Sequence, residues 1–294
     1  MKKKASKFLS AFLAISMLLV FAGCSGQAEE SSRAGSAAPS SASETSSGSS
    51  DAQSALARIK ASGELVVGTA SGYPPYEFVD VTSPTQEVVG IDMALAKAIS
   101  DKIGVKLKIE DMDFTALLSS LTTNKVDLAI AGINPTDERK KTVDFSDVYL
   151  QSEQKLLVRK SDAGQLKSLA DFNGKSVGAE KSSTQETLAK AEMAGSKVVA
   201  LDKTADLVME LMNKKIDGVV IESTVAEQYI LSNDSLAFSP ATFKNKIKNS
   251  SVALKKGQED LLKVVNEVIA ENKSNGDFDK WVEDYSKKAS KNAK

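Results

Sequence analysis

The chain has no histidine, one cysteine, one tryptophan and six prolines among its 294 residues. Without histidine it lacks the side chain most used for proton transfer near neutral pH. Any acid–base chemistry would fall to carboxylates, lysines and tyrosines, and no pair of these is visibly arranged for it. A single cysteine excludes an internal disulfide. Positive charge is not in excess, with 38 Lys and Arg against 39 Asp and Glu, and no basic patch suggests nucleic acid. Only one long apolar run is present, Phe8–Ala22, so a second membrane-crossing segment is not expected.

That run follows Lys2, Lys3, Lys4 and Lys7 and ends at Ala22-Gly23-Cys24. A basic head, a short apolar stretch and small residues predict a secretory signal over residues 1–23. Small residues before a lone cysteine resemble the lipobox of bacterial lipoproteins. The resemblance implies lipidation of Cys24 and a protein held by lipid at the outer face of the cell membrane. Phe21 stands where Leu, Val or Ile is commoner, and a plain signal peptide with an incidental Cys24 is the alternative. Removing residues 1–23 takes four lysines and no acids, so the net charge moves from −1 to −5. Residues 24–54 are Ser, Ala, Gly and Glu with almost no large apolar side chain. Such a composition cannot offset its ordering entropy and predicts a tether.

Beyond the tether, strand-like and helix-like segments alternate. Glu64–Thr69 predicts a strand, Ile91, Leu95 and Ile99 a helical stripe, and Val105, Leu107 and Ile109 a strand with one face in water. Residues 126–131 predict a buried strand, and Gly218–Ile221 another. The βαβ pattern predicts α/β architecture with mostly parallel sheets. Polar stretches at Tyr149–Glu153 and Lys246–Ser250 are candidate connections. They divide the chain into a first lobe over 55–150, a second over 151–248 and a return segment to the first over 249–294.

Five places carry candidate ligand chemistry. Gly72-Tyr-Pro-Pro-Tyr-Glu-Phe78 sets Tyr73 and Tyr76 on a stiffened loop, as apolar cover for a small molecule or as core. Phe114 is either a second aromatic surface or the first core residue of a helix. Gly132-Ile-Asn-Pro-Thr-Asp-Glu-Arg139 ends a strand, turns, and opens a charged helix that places Arg139. Its guanidinium fork suits a carboxylate as well as a surface ion pair. Ser183, three residues before Glu186, has the spacing of a capping box, and the helix start it predicts favours an anion. Glu222 closes a strand, either solvated or facing an ammonium group.

Together these segments resemble the type 3 solute-binding proteins of bacterial amino-acid ABC importers. Gly68–Phe78, Gly90-Ile-Asp92, Asp127–Lys141, Val143–Ser146, Gly174–Gly178, Ser183–Glu186 and Asp217–Val220 carry the likeness, which spans residues 60–286. The resemblance implies a two-lobed clamshell with two hinge strands, binding a free L-amino acid between the lobes. It implies delivery by a monomer to a membrane permease served by a cytoplasmic ATPase, without metal or cofactor. It assigns Tyr73 and Phe114 to aromatic cover and Arg139 and Thr184 to the α-carboxylate. Gly132, Asn134 and Glu222 are assigned to the polar head and its ammonium. Ala70 stands where many members carry Asp, which favours a polar neutral ligand such as glutamine over a basic one. Glu77, Asp111, Asp113 and Glu180 are acids near enough in sequence to replace it. A secreted dehydratase of the same fold, and a sensor or adhesin without transport, are the rival readings.

Overall fold

The computed structural model describes residues 54–292. The expected signal sequence, Cys24 and the Ser-rich stretch up to residue 53 lie outside the described residues.

The first lobe opens with α1 (Ala55–Ser62), capped by the Ser54 hydroxyl, which accepts the Ala57 N–H. It continues through β1 (Glu64–Thr69), the short hairpin β2 (Phe78–Val79) and β3 (Val88–Val89), α2 (Ile91–Ile103) and β4 (Lys106–Asp111). Then come α3 (Leu117–Thr122), β5 (Leu128–Ala129) and β6 (Val143–Phe145). Ile91, Leu95, Ile99 and Ile103 recur every four residues and are buried, which fixes the inward face of α2. β4 keeps Lys106 and Lys108 in solvent and leans Leu107 and Ile109 inward.

The second lobe comprises β7 (Leu150–Arg159), β8 (Ser176–Glu180), α4 (Thr184–Glu192), β9 (Lys197–Leu201) and α5 (Thr204–Met212). It ends with β10 (Gly218–Glu222), α6 (Ser223–Ser232) and β11 (Leu236–Phe238). The chain returns through β12 (Ile247–Ser250), β13 (Ala253–Lys255), α7 (Glu259–Asn275) and α8 (Asp277–Asn292).

Beside the β2-β3 hairpin, two larger sheets result, β4-β1-β5-β13-β6 and β11-β7-β10-β8-β9, with β12 laid on β7. β1 runs parallel to β4 and β5, whereas β13 is antiparallel between β5 and β6. The first sheet therefore needs a strand from the far end of the chain. The two crossings pair with each other, Leu150 opposite Ser250 and Glu153 opposite Ile247. Two hydrogen-bonded strands thus join the lobes, and the two-lobed α/β architecture is that of a clamshell.

The aromatic loop after β1 is held by the start of α2. The N–H groups of Ile91 and Asp92, which have no partner within the helix, donate to the carbonyls of Pro75 and Tyr76. Gly90 permits this approach, because a Cβ there would lie 2.0 Å from the Tyr76 carbonyl oxygen.

Two local expectations are corrected. Residues 126–131 are buried throughout, yet only Leu128–Ala129 pair as strand. β13 offers just Ala253 and Leu254 as partners, and the chain turns at Gly132 with φ of 52°. The helix expected at Arg139 is a single 3-10 turn, Arg139–Lys141, because β6 begins two residues later.

Candidate functional site

One cleft collects side chains from both lobes and from the connection between them. Tyr73, Glu77, Phe114, Gly132, Asn134 and Arg139 come from the first lobe. Glu180 ends β8, Ser183, Thr184 and Gln185 open α4, and Lys248 comes from β12. Six of the seven sequence-predicted ligand residues therefore converge on one pocket; Glu222 is the exception.

Arg139 is held by carbonyls from both lobes. One terminal nitrogen donates to the Asn134 carbonyl at 2.9 Å, the other to the Ser182 carbonyl of the opposite lobe at 3.0 Å. Its guanidinium carbon lies 5.3 Å from the Phe114 ring centroid. Phe114 is thus both core-packed, on the cluster under α3, and the platform that orients the fork. Burial pulls the Arg139 pKa down to about 10, which leaves it charged at neutral pH. Two of its five N–H donors are used, so the rest remain for a ligand.

Beside it, α4 starts as its spacing predicts. The Ser183 hydroxyl accepts the Glu186 N–H at 3.1 Å. The returning carboxylate of Glu186 reaches one residue further than a capping box requires and accepts the Ser182 N–H at 2.7 Å. Ser182 takes a left-handed φ of 62°, which turns its carbonyl toward Arg139.

Glu222 corrects the expectation placed on it. It is fully buried and does not line the pocket. Its carboxylate sits 2.5 Å from the Lys248 ammonium, accepts the Tyr73 hydroxyl at 3.3 Å and also accepts the Tyr76 hydroxyl. Tyr73 in turn accepts from the Gln185 amide at 2.9 Å and so ties the two lobes. β12 explains why sequence reading passes over Lys248. Its alternation is inverted: Ile247 is half exposed while Lys248 and Ser250 are buried. A lysine in a polar strand is ordinarily assigned to solvent. The one available clue is the alternation itself, which puts Lys248 and Ser250 on the same face.

Three further acids shape the electrostatics. Asp92, in the first turn of α2, accepts the Gly132 N–H at 2.7 Å and the Tyr149 hydroxyl at 2.8 Å. Burial pushes its pKa up to about 6. Glu77 is raised well above the usual carboxylate range by burial and then by the neighbouring Asp92, and one of its oxygens has no hydrogen bond among the described residues. Glu180 is raised by burial to about 7. The lysines around it are engaged elsewhere: Lys181 with Asp202 at 3.3 Å, Lys203 with Asp113 at 3.6 Å, and Lys248 with Glu222. Asp111 is also occupied, holding the N–H and hydroxyl of Ser71. Of the acids near the site in sequence, Glu77 and Glu180 face the pocket; Asp111 and Asp113 do not line it. Among the described residues, no group of three or more His, Cys, Asp or Glu is placed to hold a metal ion.

Residues 65–288 match the family model for bacterial extracellular solute-binding proteins, family 3. The arginine-binding extracellular protein ArtP of Bacillus subtilis (strain 168) is 37% identical over 239 residues, covering 80% of this chain and 89% of ArtP. The L-cystine-binding protein TcyJ of Escherichia coli (strain K12) is 31% identical over 231 residues, covering 77% and 85%. Among solved structures, the amino acid ABC transporter substrate-binding protein AbpA from Streptococcus pneumoniae, bound to L-arginine, superposes with a TM-score of 0.77. It is 38% identical, over 79% of this chain and 98% of that one.

Proposed function

The chain belongs to the family 3 bacterial extracellular solute-binding proteins, and we propose that it captures a free amino acid with a cationic side chain, of the arginine kind. The observation that carries this reading is Glu180, a carboxylate on the pocket wall whose neighbouring lysines are all engaged elsewhere. A half-buried carboxylate that no lysine pairs with directly gains from a cation brought beside it. Arg139 supplies the complementary end, a cationic fork for the ligand's carboxylate. Glu77 adds a second acid to the same pocket. Glu180 offsets the missing acid at Ala70, and with it the case for a glutamine-like ligand gives way to the basic one. The arginine named for ArtP and AbpA agrees with this choice.

Glu180→Gln tests it. Calorimetric titration should show arginine affinity reduced on the order of 10- to 100-fold, the worth of one charge-assisted hydrogen bond. The pH dependence has a definite sign. A cation pairs only with ionised Glu180, whose pKa burial raises to about 7. Affinity therefore falls as pH drops below that value, by at most about tenfold per pH unit, and Glu180→Gln flattens the profile. Unchanged affinity and an unchanged profile would sink the assignment.

Closure follows from the ligand touching both lobes, Arg139 on one and Glu180 on the other. A ligand drives closure only through its differential interaction with the closed form. The loaded, closed protein then docks on an ABC permease, whose cytoplasmic ATPase drives import. We place the protein outside the cell, held by lipid on Cys24 as the lipobox-like Ala22-Gly23-Cys24 suggests. Cys24→Ala should shift the protein from the membrane fraction to the medium; retention on membranes would argue against lipidation.

A further inference from the structure

We infer that Lys248 stands in for the ligand's α-ammonium, so that this cleft selects a carboxylate and a terminal cation and leaves the α-amino group unread. Its ligand class is then ω-guanidino and ω-amino carboxylates, with or without an α-amine. The inference rests on the site reading above.

The Lys248 ammonium is saturated. It lies 2.5 Å from a Glu222 carboxylate oxygen, 2.7 Å from the Gly132 carbonyl and 3.1 Å from the Ser250 hydroxyl, one acceptor for each of its three donors. Two aromatic faces complete the cage, with the Tyr76 and Tyr73 ring centroids 5.3 and 5.8 Å from the nitrogen. A strand-end carbonyl, a carboxylate and two rings make a receptor for one ammonium group, and the chain fills it from its own hinge strand. No room is left for a second. Both oxygens of Glu222 are engaged, one by Lys248 and Tyr73 and the other by Tyr76.

Charge balance leads to the same place. A ligand with one carboxylate and one terminal cation pairs with Arg139 and Glu180, while Lys248 and Glu222 cancel each other. An α-ammonium would be an additional charge. The remaining wall acid is Glu77, whose burial and proximity to Asp92 favour its neutral form. Evicting Lys248 would strand its charge in a site where it is 3% exposed.

The test compares three ligands on the intact protein by calorimetry: L-arginine, δ-guanidinovaleric acid, which is arginine without its α-amine, and agmatine, which lacks the carboxylate. L-arginine and δ-guanidinovaleric acid should bind within about tenfold of each other, and agmatine at least about a hundredfold more weakly. L-arginine binding with the deaminated analogue more than a hundredfold weaker would overturn the inference and leave the cationic reading standing. Failure of both carboxylates to bind would overturn both. Lys248→Met supplies a second arm. Freed of its internal ammonium, Glu222 should take the α-amine, and the preference for L-arginine over the analogue should rise more than about tenfold. An unchanged ratio in a folded variant would overturn the inference. The wild-type comparison holds whether or not that variant folds.

Discussion

Arg139→Ala should abolish useful binding and leave the fold intact. In the proposed function the guanidinium meets the ligand's carboxylate, and truncating one member of a buried, hydrogen-bonded charge pair costs about 2–5 kcal/mol. Affinity should therefore fall by about a hundredfold or more. The structural losses are modest, since the side chain anchors only to the Asn134 and Ser182 carbonyls and to the Phe114 face. Its 3-10 turn makes no contribution to the main core clusters, so the melting curve of the empty protein should shift little. Calorimetric titration beside circular dichroism separates the two effects. Retained affinity would remove the carboxylate from Arg139, while an unfolded variant would mean that the fork supports the fold.

The second large effect is on stability. Lys248→Met leaves Glu222 fully buried with only the two tyrosine hydroxyls to offset its charge. Removing one partner of a buried ion pair costs about 3–5 kcal/mol, because the charge left behind has no solvent. For a domain of this size each kcal/mol moves the melting temperature by about 2–4 °C, so a fall of roughly 10 °C is expected in the empty protein. Adding Glu222→Gln to Lys248→Met should restore more than half of the loss, because a neutral amide can still accept from the tyrosine hydroxyls. Differential scanning calorimetry of the four proteins completes the cycle. Additive losses would show that the two charges do not stabilise each other.

The elements with strong periodicity were legible before the structure. The four-residue spacing of Ile91, Leu95 and Ile99 predicts α2, and the alternation of Leu107 and Ile109 with lysines predicts β4. Six ligand candidates scattered from Tyr73 to Thr184 meet in one pocket, and no periodicity could have shown that; the family likeness supplied it. What escaped did so for identifiable reasons. Buried apolar residues at 126–131 carry no information on how many of them find a partner, and β13 supplies two. The charged residues at 137–141 favour a helix that β6 leaves no length to build. Lys248 is hidden because its burial depends on Glu222, Gly132 and Ser250 meeting in space, and two of those lie far away in sequence. Glu222 fails for the complementary reason: an acid at a strand end does not announce that a lysine has already claimed it.

Helix α1 is clipped to the first lobe. The Leu56 N–H donates to the Asp260 carboxylate at 3.0 Å, and Arg58 pairs with Asp127 at 2.5 Å. Taking the lobe that holds α1 as the fixed jaw makes the lobe slung from β7 and β12 the moving one. Arg139 belongs to the fixed jaw and Glu180 to the moving jaw. In the proposed function, a molecule with a carboxylate alone can land without drawing the jaws together, and one with a cation at its other end pulls them shut. Discrimination in the proposed function is exercised at the snap of the trap, after landing.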